Sequence, residues 1–286
     1  MTSGAEPPLR VGAGVPAGSA TTWSMGAGFA PAQVRTVLPR ALLIIELVLL
    51  LGVSLGRSAV YSVVSIIERL TRPDQPLSQQ TTSMNTSVVP DRPWLDLIYQ
   101  VLGIVLPVLP AFLAVYLLTI SFRGARHLIG LDARRPLPDL ALGLLMAAVI
   151  GIPGLGLYLG ARALGLNTNI SPANLTEHWW TLPVLVGLAA MNGILEEVIM
   201  LGWWYVRGRQ LGWNWAVVII SSALVRGTYH LYQGFGGFVG NLIMGVIFGV
   251  VFVRCKRVMP LIIAHALLDI VAFVGYTLAA PYLDWL

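Results

Sequence analysis

The chain has 286 residues, of which 56% are hydrophobic and 11% are charged, and its mean hydropathy is +0.77. Soluble domains carry about 25% charged residues, so this composition excludes an ordinary water-soluble protein. The single cysteine, Cys255, excludes an internal disulfide framework and a cysteine-rich metal site. The net charge of +5 is not concentrated in a basic patch on a soluble domain, which argues against nucleic-acid binding.

Apolar runs long enough to cross a bilayer as helices, about 20 residues each, recur along the chain. They predict an all-α fold, a polytopic transmembrane helical bundle of seven spans, or eight if the first segment divides at Arg57. Residues 1–36 are rich in Gly, Ala, Pro, Ser and Thr and lack periodicity, so they are predicted to form a disordered cytoplasmic tail. Residues 37–286 form the predicted transmembrane domain, with spans at about 38–70, 93–121, 138–164, 181–205, 213–232, 236–253 and 258–280.

The loops between the predicted spans differ in charge, and this difference predicts the orientation of the chain. The loop SFRGARHLIGLDARRPLPD after the second span is basic, whereas segment 71–92 before that span is polar and interrupted by prolines. Cytoplasmic loops of membrane proteins carry an excess of Lys and Arg. The N-terminus is therefore predicted to lie in the cytoplasm and the C-terminus outside.

The fourth predicted span contains the run MNGILEEVIMLG, which places Glu196 and Glu197 inside an apolar helix. A charged side chain at the centre of a bilayer costs about 2.5–3.5 kcal/mol on insertion scales. Two adjacent carboxylates therefore indicate a buried partner, a functional role or both. Other polar side chains interrupt the apolar spans in the second half of the chain: Asn192, Arg226, His230, Asn241, His265 and Asp269.

Helical spacing sorts these residues into faces and partners. Residues four apart lie on one face of a helix, and three such pairs occur: Asn192 with Glu196, Arg226 with His230, and His265 with Asp269. Glu196 and Glu197 are neighbours and point about 100° apart, so they are predicted to have different partners and different roles. The predicted boundaries place Glu196 nearer the cytoplasmic end of its span and His230 nearer the outer end of the next.

This set of side chains indicates hydrolysis in a water-filled pocket within the membrane. A carboxylate beside an imidazole takes a proton from water, and a second histidine stabilises an oxyanion. The same residue types suit zinc, so a metal-bound water and a Glu/His-activated water are both open alternatives. The candidate catalytic residues are Glu196, Glu197, His230, His265 and Asp269, and the candidate zinc ligands are Glu196, His230, His265 and Asp269.

A purely structural role is the alternative for several of these residues. Glu196 and Glu197 would then form buried ion pairs with Arg226, although ionisable groups inside a membrane are functional by default. Asn241 fits a hydrogen bond between packed helices better than a catalytic role. Arg226, Asn192 and Asn241 are accordingly predicted to support the site.

Three segments in order, LEEVIMLG, RGTYHLYQGFGGFVGNLIMGVIFG and VMPLIIAHALLD, carry a resemblance to a known family. They resemble the CAAX protease and bacteriocin-processing family of intramembrane proteases, also called the CPBP or Abi family. Its signature is EExxxR on one helix, FxxxH on a later helix and HxxxN on a third. The order and spacing hold over about residues 180–275, the predicted catalytic core. The metalloprotease motif HExxH, by contrast, does not occur in the sequence.

The resemblance implies a hydrolase of the bacterial plasma membrane that cleaves a membrane protein or peptide within the lipid bilayer. Glu196 would activate the water with His230 as its partner, and Glu197 would support the site. His265 would help to form the oxyanion site, and Asp269 stands where the family has Asn. The family is metalloprotease-like by some criteria and metal-independent by others, so zinc is the one cofactor that the resemblance leaves open.

The chain departs from the family signature at two positions that we interpret together. Leu201 stands in place of the arginine of EExxxR, and Arg226 in place of the phenylalanine of FxxxH. Arg226 is therefore predicted to supply, from the next helix, the positive charge that Leu201 lacks. Two other functions stay open: a non-proteolytic scaffold of this family that binds a partner membrane protein, and a transporter with an ion or proton relay. The transporter is disfavoured because the polar residues are concentrated in the second half of the chain.

Overall fold

The computed structural model describes residues 21–279 and residue 282, and it is a helical bundle, as the sequence predicts. The apolar runs form helices because a helix satisfies its backbone hydrogen bonds within one segment. In chain order the helices are α1 (Arg40–Gly52), α2 (Leu55–Leu70), α3 (Pro93–Ser121), α4 (Ala125–Leu128), α5 (Pro136–Ala163), α6 (Thr181–Glu197), α7 (Trp204–Gln210), α8 (Trp215–Tyr229), α9 (Phe235–Cys255) and α10 (Met259–Ala279). A π-helical segment, Val198–Trp203, joins α6 to α7, and 3₁₀ turns cover Leu77–Gln79 and Leu231–Gln233.

Short strands connect the loops around the bundle. They are β1 (Thr22–Trp23), β2 (Ala32–Val34), β3 (Thr81–Ser83), β4 (Phe122–Arg123) and β5 (Asn169–Ser171). Strand β2 pairs antiparallel with β1 and with β4, whereas β3 and β5 pair in parallel. The first sheet ties the N-terminal segment to the end of α3, and the second ties the loop before α3 to the loop before α6.

The predicted spans are all helical, but they differ in length. Those long and apolar enough to cross a membrane are α3, α5, the continuous unit α6–α7 (Thr181–Gln210), α9 and α10. α1 and α2 together form a further candidate that bends by 55°, and the break lies between Gly52 and Leu55 rather than at Arg57. α8 has 15 residues and is about 22 Å long, shorter than a hydrocarbon core of about 30 Å. The total of seven spans therefore stays a prediction.

The short α8 explains how residues from opposite ends of two predicted spans meet. α7 and α8 form a hairpin, and Asn214 in the turn caps α8 with its side-chain oxygen. Glu197 and Arg226 lie at similar distances along the chain from this turn, so they face each other. His230 directly follows the last residue of α8. The predicted end of this helix, at about residue 232, lies beyond its end in the structure at Tyr229. The prediction therefore placed His230 too far from the glutamates.

The α6–α7 unit is the central helix of the bundle. Of its apolar window 67% is buried, against 11–28% for the other long helices. Gly193 lets α10 pack closely against it, because a Cβ at this position would lie 2.9 Å from the carbonyl oxygen of Ile262. Gly245 of α9 gives the same close approach to α8, where a Cβ would lie 2.9 Å from Cα of Ala223. The first contact places α10 against the middle of the α6–α7 unit, and the second holds α8 against α9.

Residues 21–36 differ from the predicted disordered tail. They contain β1 and β2, and Met25, Phe29 and Ala32 are buried in the main core. The ring of Phe29 stacks on Trp215, with centroids 5.5 Å apart. A few aromatic side chains bury a large apolar area in a segment otherwise rich in small residues, and periodicity does not reveal such anchors. Residues 1–20 of the predicted tail, and residues 280, 281 and 283–286 of the predicted transmembrane domain, lie outside the described residues.

A buried charge network joins the end of the central helix to α1 and α3. Arg207 is fully buried and forms a bidentate ion pair with Glu46 of α1, with N–O distances of 2.7 and 2.9 Å. It also donates to the hydroxyl of Ser121 and the carbonyl of Leu117, both at 2.9 Å. Paired charges of this kind are tolerated inside a protein because every donor has an acceptor.

A second network fixes the turn between α9 and α10, which sets the position of the last helix. Arg257 in this turn donates to Asp139 at the start of α5 at 2.7 Å and to the carboxylate of Asp132 at 3.0 Å. Asp132 also accepts from Arg134 and bonds to His127. The hydrogen bond from Arg134, together with those from His127 and Arg257, lowers the pKa of the Asp132 carboxyl well below its ordinary value.

Candidate functional site

The site is built around the last two residues of α6, Glu196 and Glu197, in the middle of the central helix. Glu196 is 8% exposed and Glu197 is fully buried. The helix adopts π-helical geometry immediately after them, over Val198–Trp203, and π-helical turns occur frequently at functional sites. Leu201, at the position of the signature arginine, lies in this segment and is buried in the apolar core.

Glu197 binds the two charged partners of the site most directly. Its Oε1 accepts hydrogen bonds from Nη2 of Arg226 and from Nδ1 of His265, each 2.6 Å long. All three side chains are at most 5% exposed, so solvent does not screen these interactions. Because Nδ1 of His265 donates to a carboxylate, it carries a proton, and Nε2 of the same ring is left for other partners.

Glu196 has a different hydrogen-bond partner, although Arg226 and His265 lie near both carboxylates. Its Oε2 accepts a hydrogen bond of 2.6 Å from the hydroxyl of Tyr229. Nη1 of Arg226 lies 3.6 Å from the same oxygen. Nε2 of His230 and Nε2 of His265 lie 3.8 and 3.9 Å from it. Groups from α8, the turn after α8 and α10 therefore converge on one carboxylate oxygen of α6.

Tyr229 was not among the predicted site residues, although the sequence contains a signal for it. Arg226, Tyr229 and His230 stand at positions i, i+3 and i+4, so they share one face of a helix. The tyrosine is 4% exposed, and a buried tyrosine hydroxyl usually finds a hydrogen-bond partner. A face that carries Arg and His inside an apolar span therefore predicts that the tyrosine between them also reaches the site.

Asp269 and Asn192 meet at the edge of the site, across the contact between α6 and α10. Oδ1 of Asp269 lies 4.0 Å from Nε2 of His265, one helical turn earlier, and Asn192 donates to Oδ2 of Asp269 at 2.7 Å. Asn241 does not join them. Its side chain donates to the carbonyl of Gly237 at 3.0 Å, one turn earlier in the same helix. The predicted hydrogen bond between helices is therefore replaced by one within α9, as short polar side chains often bond to their own backbone.

The geometry of the site suits a small polar molecule between a carboxylate and two imidazoles. The separations of 3.8 and 3.9 Å between Oε2 of Glu196 and the Nε2 atoms of His230 and His265 exceed a direct hydrogen bond, and one water molecule can bridge such a separation. Nε2 of His230 is buried and has no hydrogen-bond partner within the described part of the chain. The site can therefore bind and deprotonate a water molecule.

The structure alters the predicted set of metal ligands. Among the described residues, the group whose ligand atoms all lie within 4.8 Å of one another is Glu196, Glu197 and His265. The sequence predicts four ligands, which are Glu196, His230, His265 and Asp269. Glu197 is not among them. Oε2 of Glu197 is buried without a hydrogen-bond partner in the described ranges, and carboxylate and imidazole are ordinary zinc ligands. These three residues fit a metal ion, whereas ligation by His230 and Asp269 stays a prediction.

The comparison with protein families agrees with the motifs. Residues 178–271 match the model of a family described as type II CAAX prenyl endopeptidase Rce1-like. The matched segment contains both glutamates, both histidines and Asp269. The resemblance to the CAAX protease family is therefore confirmed for this segment. No curated protein and no solved structure matches the chain.

Proposed function

We propose that the chain, whose residues 178–271 match the model of a CAAX protease family, is an integral membrane endopeptidase that hydrolyses a peptide bond with water activated by Glu196. The observation that supports this proposal is the convergence of Tyr229, His230 and His265 on Oε2 of Glu196. The enzyme acts in a bacterial plasma membrane, with its N-terminus in the cytoplasm as the loop charges predict.

The reaction begins with a water molecule between Oε2 of Glu196 and Nε2 of His230. Glu196 accepts one proton of this water, and His230 orients it by accepting a hydrogen bond from the other O–H group. The water oxygen attacks the carbonyl carbon of the scissile bond. When the C–N bond breaks, the proton held by Glu196 passes to the leaving amine, and the carboxylate is restored.

His265 stabilises the negative charge that develops on the carbonyl oxygen. Its Nδ1 is held by Glu197 at 2.6 Å, which fixes the ring and leaves Nε2 directed toward the reacting group. In its doubly protonated form the ring donates from Nε2 to the oxyanion. Asp269 lies 4.0 Å from that nitrogen and is held by Asn192, so its carboxyl group helps to orient the ring.

The carboxylates need a permanent positive charge, and Arg226 supplies it. Its guanidinium donates to Glu197 at 2.6 Å and lies 3.6 Å from Glu196. The position of the signature arginine is taken by Leu201, which is 2% exposed and packs in the apolar core. The positive charge therefore lies on α8 in this chain, whereas the family signature places it on the helix of the glutamates. The same two glutamates are neutralised from α8.

A zinc ion, when bound, would act as a Lewis acid that lowers the pKa of its bound water. The residues that would hold it are Glu196, Glu197 and His265, whose ligand atoms lie within 4.8 Å of one another.

The substrate is a membrane-associated peptide or protein, and the first probe follows from the description of the matched family. A farnesylated peptide ending in a C-A-A-X sequence, with a fluorophore and quencher on either side of the expected scissile bond, is added to the full-length chain in lipid nanodiscs. Glu196→Gln and His230→Ala are expected to lower kcat by at least about 100-fold, the contribution of a positioned general base. Thr228→Ala serves as the control, because this side chain only binds Leu224 of its own helix.

Full cleavage by both variants would contradict the proposed function. The second candidate, a non-proteolytic membrane scaffold, is favoured by one observation: Leu201 replaces the signature arginine. It predicts that the wild-type chain cleaves neither the farnesylated peptide nor the same peptide without the prenyl group. It also predicts that a partner captured by the wild-type chain is still captured by Glu196→Gln.

A further inference from the structure

A cavity of about 490 Å³ opens between the break that joins α1 to α2, α2 itself, α3 and the central helix. This volume lies within the about 300–1,000 Å³ that is typical of ligand sites. Its wall on the central helix is Leu195, the residue directly before Glu196, and its other walls include Ser54, Arg57, Tyr61, Leu106 and Pro110. The cavity therefore ends against the same turn of α6 that carries the proposed catalytic carboxylate.

α2 connects this cavity to the other side of the site. Tyr61 lines the cavity, and the next residue, Ser62, is buried and accepts a hydrogen bond of 2.6 Å from the N–H of Tyr232. Tyr232 belongs to the 3₁₀ turn that begins directly after His230. The cavity is thus bordered by two elements that also position catalytic groups, α6 with Glu196 and α2 with the turn after His230.

Arg57 places a positive charge in this cavity. The guanidinium lies 5.3 Å from the centre of the Tyr61 ring, and the ion pairs found among residues 21–279 do not include it. A charged side chain within a membrane-spanning pair of helices is costly and normally faces a binding partner or water. Arg57 therefore offers donors for an oxygen atom that enters the cavity.

The opposite wall offers an acceptor. Pro110 lies inside α3 and has no N–H, so it cannot donate to the carbonyl of Leu106 one turn earlier, and both residues line the cavity. The break between α1 and α2 at Ser54, with φ −133° and ψ −124°, interrupts a second helical ladder at the same place. A cavity with a cationic donor on one wall and, on another, a backbone carbonyl that lacks its usual helical donor matches the alternating C=O and N–H groups of an extended peptide.

From these observations we infer that the cavity is the binding groove for the substrate chain beside the scissile bond. The substrate lies there in extended form, with Arg57 donating to one of its oxygen atoms and the carbonyl of Leu106 accepting one of its N–H groups. An extended chain in lipid must have its backbone groups satisfied by the protein that binds it. This inference rests on the proposed function and names the part of the chain that recognises the substrate.

Photo-crosslinking tests the location of the groove without requiring cleavage. The probe is the farnesylated C-A-A-X peptide with a diazirine residue next to the scissile bond, irradiated with the Glu196→Gln chain in nanodiscs and mapped by mass spectrometry. Adducts are expected at residues 53–61 and 106–110. Ile152 on α5, 76% exposed, is the control for labelling of the lipid-facing surface. Adducts spread evenly over such surfaces, or no adducts at all, would overturn the inference.

Kinetics with the same peptide test the role of Arg57. Arg57→Leu is expected to raise KM about tenfold or more, with kcat changed less than about twofold, because a hydrogen bond from a charged donor is lost before the reaction begins. Arg57→Lys is expected to recover part of the loss. Arg126→Leu, which removes an exposed arginine of α4, is the control and leaves both constants unchanged.

The two proposals fail in different ways. If the wild-type chain cleaves the peptide in a Glu196-dependent manner, but Arg57→Leu has unchanged KM and the adducts lie elsewhere, the groove is wrong and the endopeptidase stands. If adducts form in the cavity and are weakened by Arg57→Leu, while the wild-type chain cleaves nothing, the cavity is a peptide-binding groove. The proposal that the chain is an endopeptidase is then wrong.

Discussion

Two buried arginine–carboxylate clusters lie along one helical unit, Thr181–Gln210, and they differ in how completely their polar atoms are paired. Around Arg207, every guanidinium nitrogen donates to a protein oxygen, including both oxygens of Glu46. Around Arg226, the atoms Nη1 of the arginine and Oε2 of Glu197 are buried without a hydrogen bond among the described residues. Buried polar atoms are nearly always paired in stable proteins.

The difference separates a structural ion pair from a reactive one. The partners of Arg207 come from α1, α3 and its own helix α7, so this cluster ties the first helix of the bundle to its centre. The partners of Arg226 are two adjacent carboxylates, and one of them, Glu196, also faces two imidazoles. A cluster whose polar atoms are all used has nothing left to bind, whereas a cluster with free atoms can take a water molecule, a metal ion or a substrate.

The largest expected effect follows from removing the cation of the second cluster. Arg226→Leu leaves Glu197 and Glu196 buried without their permanent positive partner and is expected to lower the free energy of unfolding by about 3–5 kcal/mol. Cleavage by the remaining folded protein is expected to fall at least about 100-fold. His265 is then the one charged partner left to Glu197 among the described residues, and the charge balance of the site is lost. Thermal unfolding in detergent and the peptide assay measure the two effects.

A charge-relocation variant tests the explanation for Arg226 directly. Leu201→Arg combined with Arg226→Phe recreates the signature arginine on α6 and the signature phenylalanine on α8. It is expected to recover part of the stability and activity that Arg226→Leu loses, and Arg226→Lys is expected to be intermediate. Wild-type stability and activity in both Arg226→Leu and Arg226→Lys would refute the charge-balancing role.

The next prediction concerns the cluster around Arg207, in which every guanidinium nitrogen is paired. Arg207→Met leaves Glu46 buried without its partner and is expected to cost about 3–5 kcal/mol of stability. The cleavage rate per folded molecule should stay within about twofold of wild type, because the cluster touches none of the proposed catalytic groups. Replacing both partners, with Glu46→Gln and Arg207→Met together, should recover much of the lost stability. A strong loss of activity in protein shown to be folded would remove the distinction between the two clusters.

The smallest predicted effect concerns the hydroxyl that binds Glu196. Tyr229→Phe removes one hydrogen bond to a carboxylate, which contributes about 1.5–3 kcal/mol, so kcat is expected to fall roughly tenfold or more with KM nearly unchanged. Tyr205→Phe is the matched control, because the buried hydroxyl of Tyr205 has no hydrogen-bond partner in the described part of the chain. Equal kinetics for the two variants would show that Tyr229 does not position the carboxylate.

Much of the bundle and most members of the site could be predicted, because both depend on local patterns. Long apolar runs are helical in a membrane whatever they pack against, and residues four apart share a helix face in any context. Asn192, Arg226 and Asp269 were found in this way, and all of them lie at the site. Asn241, which has no such partner four residues away, was predicted only as a polar residue within an apolar span, and its side chain bonds to Gly237 of its own helix instead.

Other features depend on how the elements pack against one another. Met25 and Phe29 are buried because α9 and the α7–α8 turn offer them an apolar surface, and that surface is assembled only by folding. Tyr229 reaches Glu196 because α8 is short enough for its last turn to lie beside the middle of the α6–α7 unit. The length of α8 and the depth of its turn are properties of the packed hairpin, which composition and periodicity do not specify.

The sequence by itself determined that this protein is a helical membrane protein and that two glutamates, two histidines and an arginine interrupt its apolar helices. These properties depend on residue type and on the 3.6-residue period alone. Only the tertiary structure decided the pairing: Glu197 with Arg226 and His265, and Glu196 with Tyr229 beside the two imidazoles. Adjacent residues point about 100° apart, so the role of each glutamate depends on which helix packs on which side, and that is set by the whole bundle.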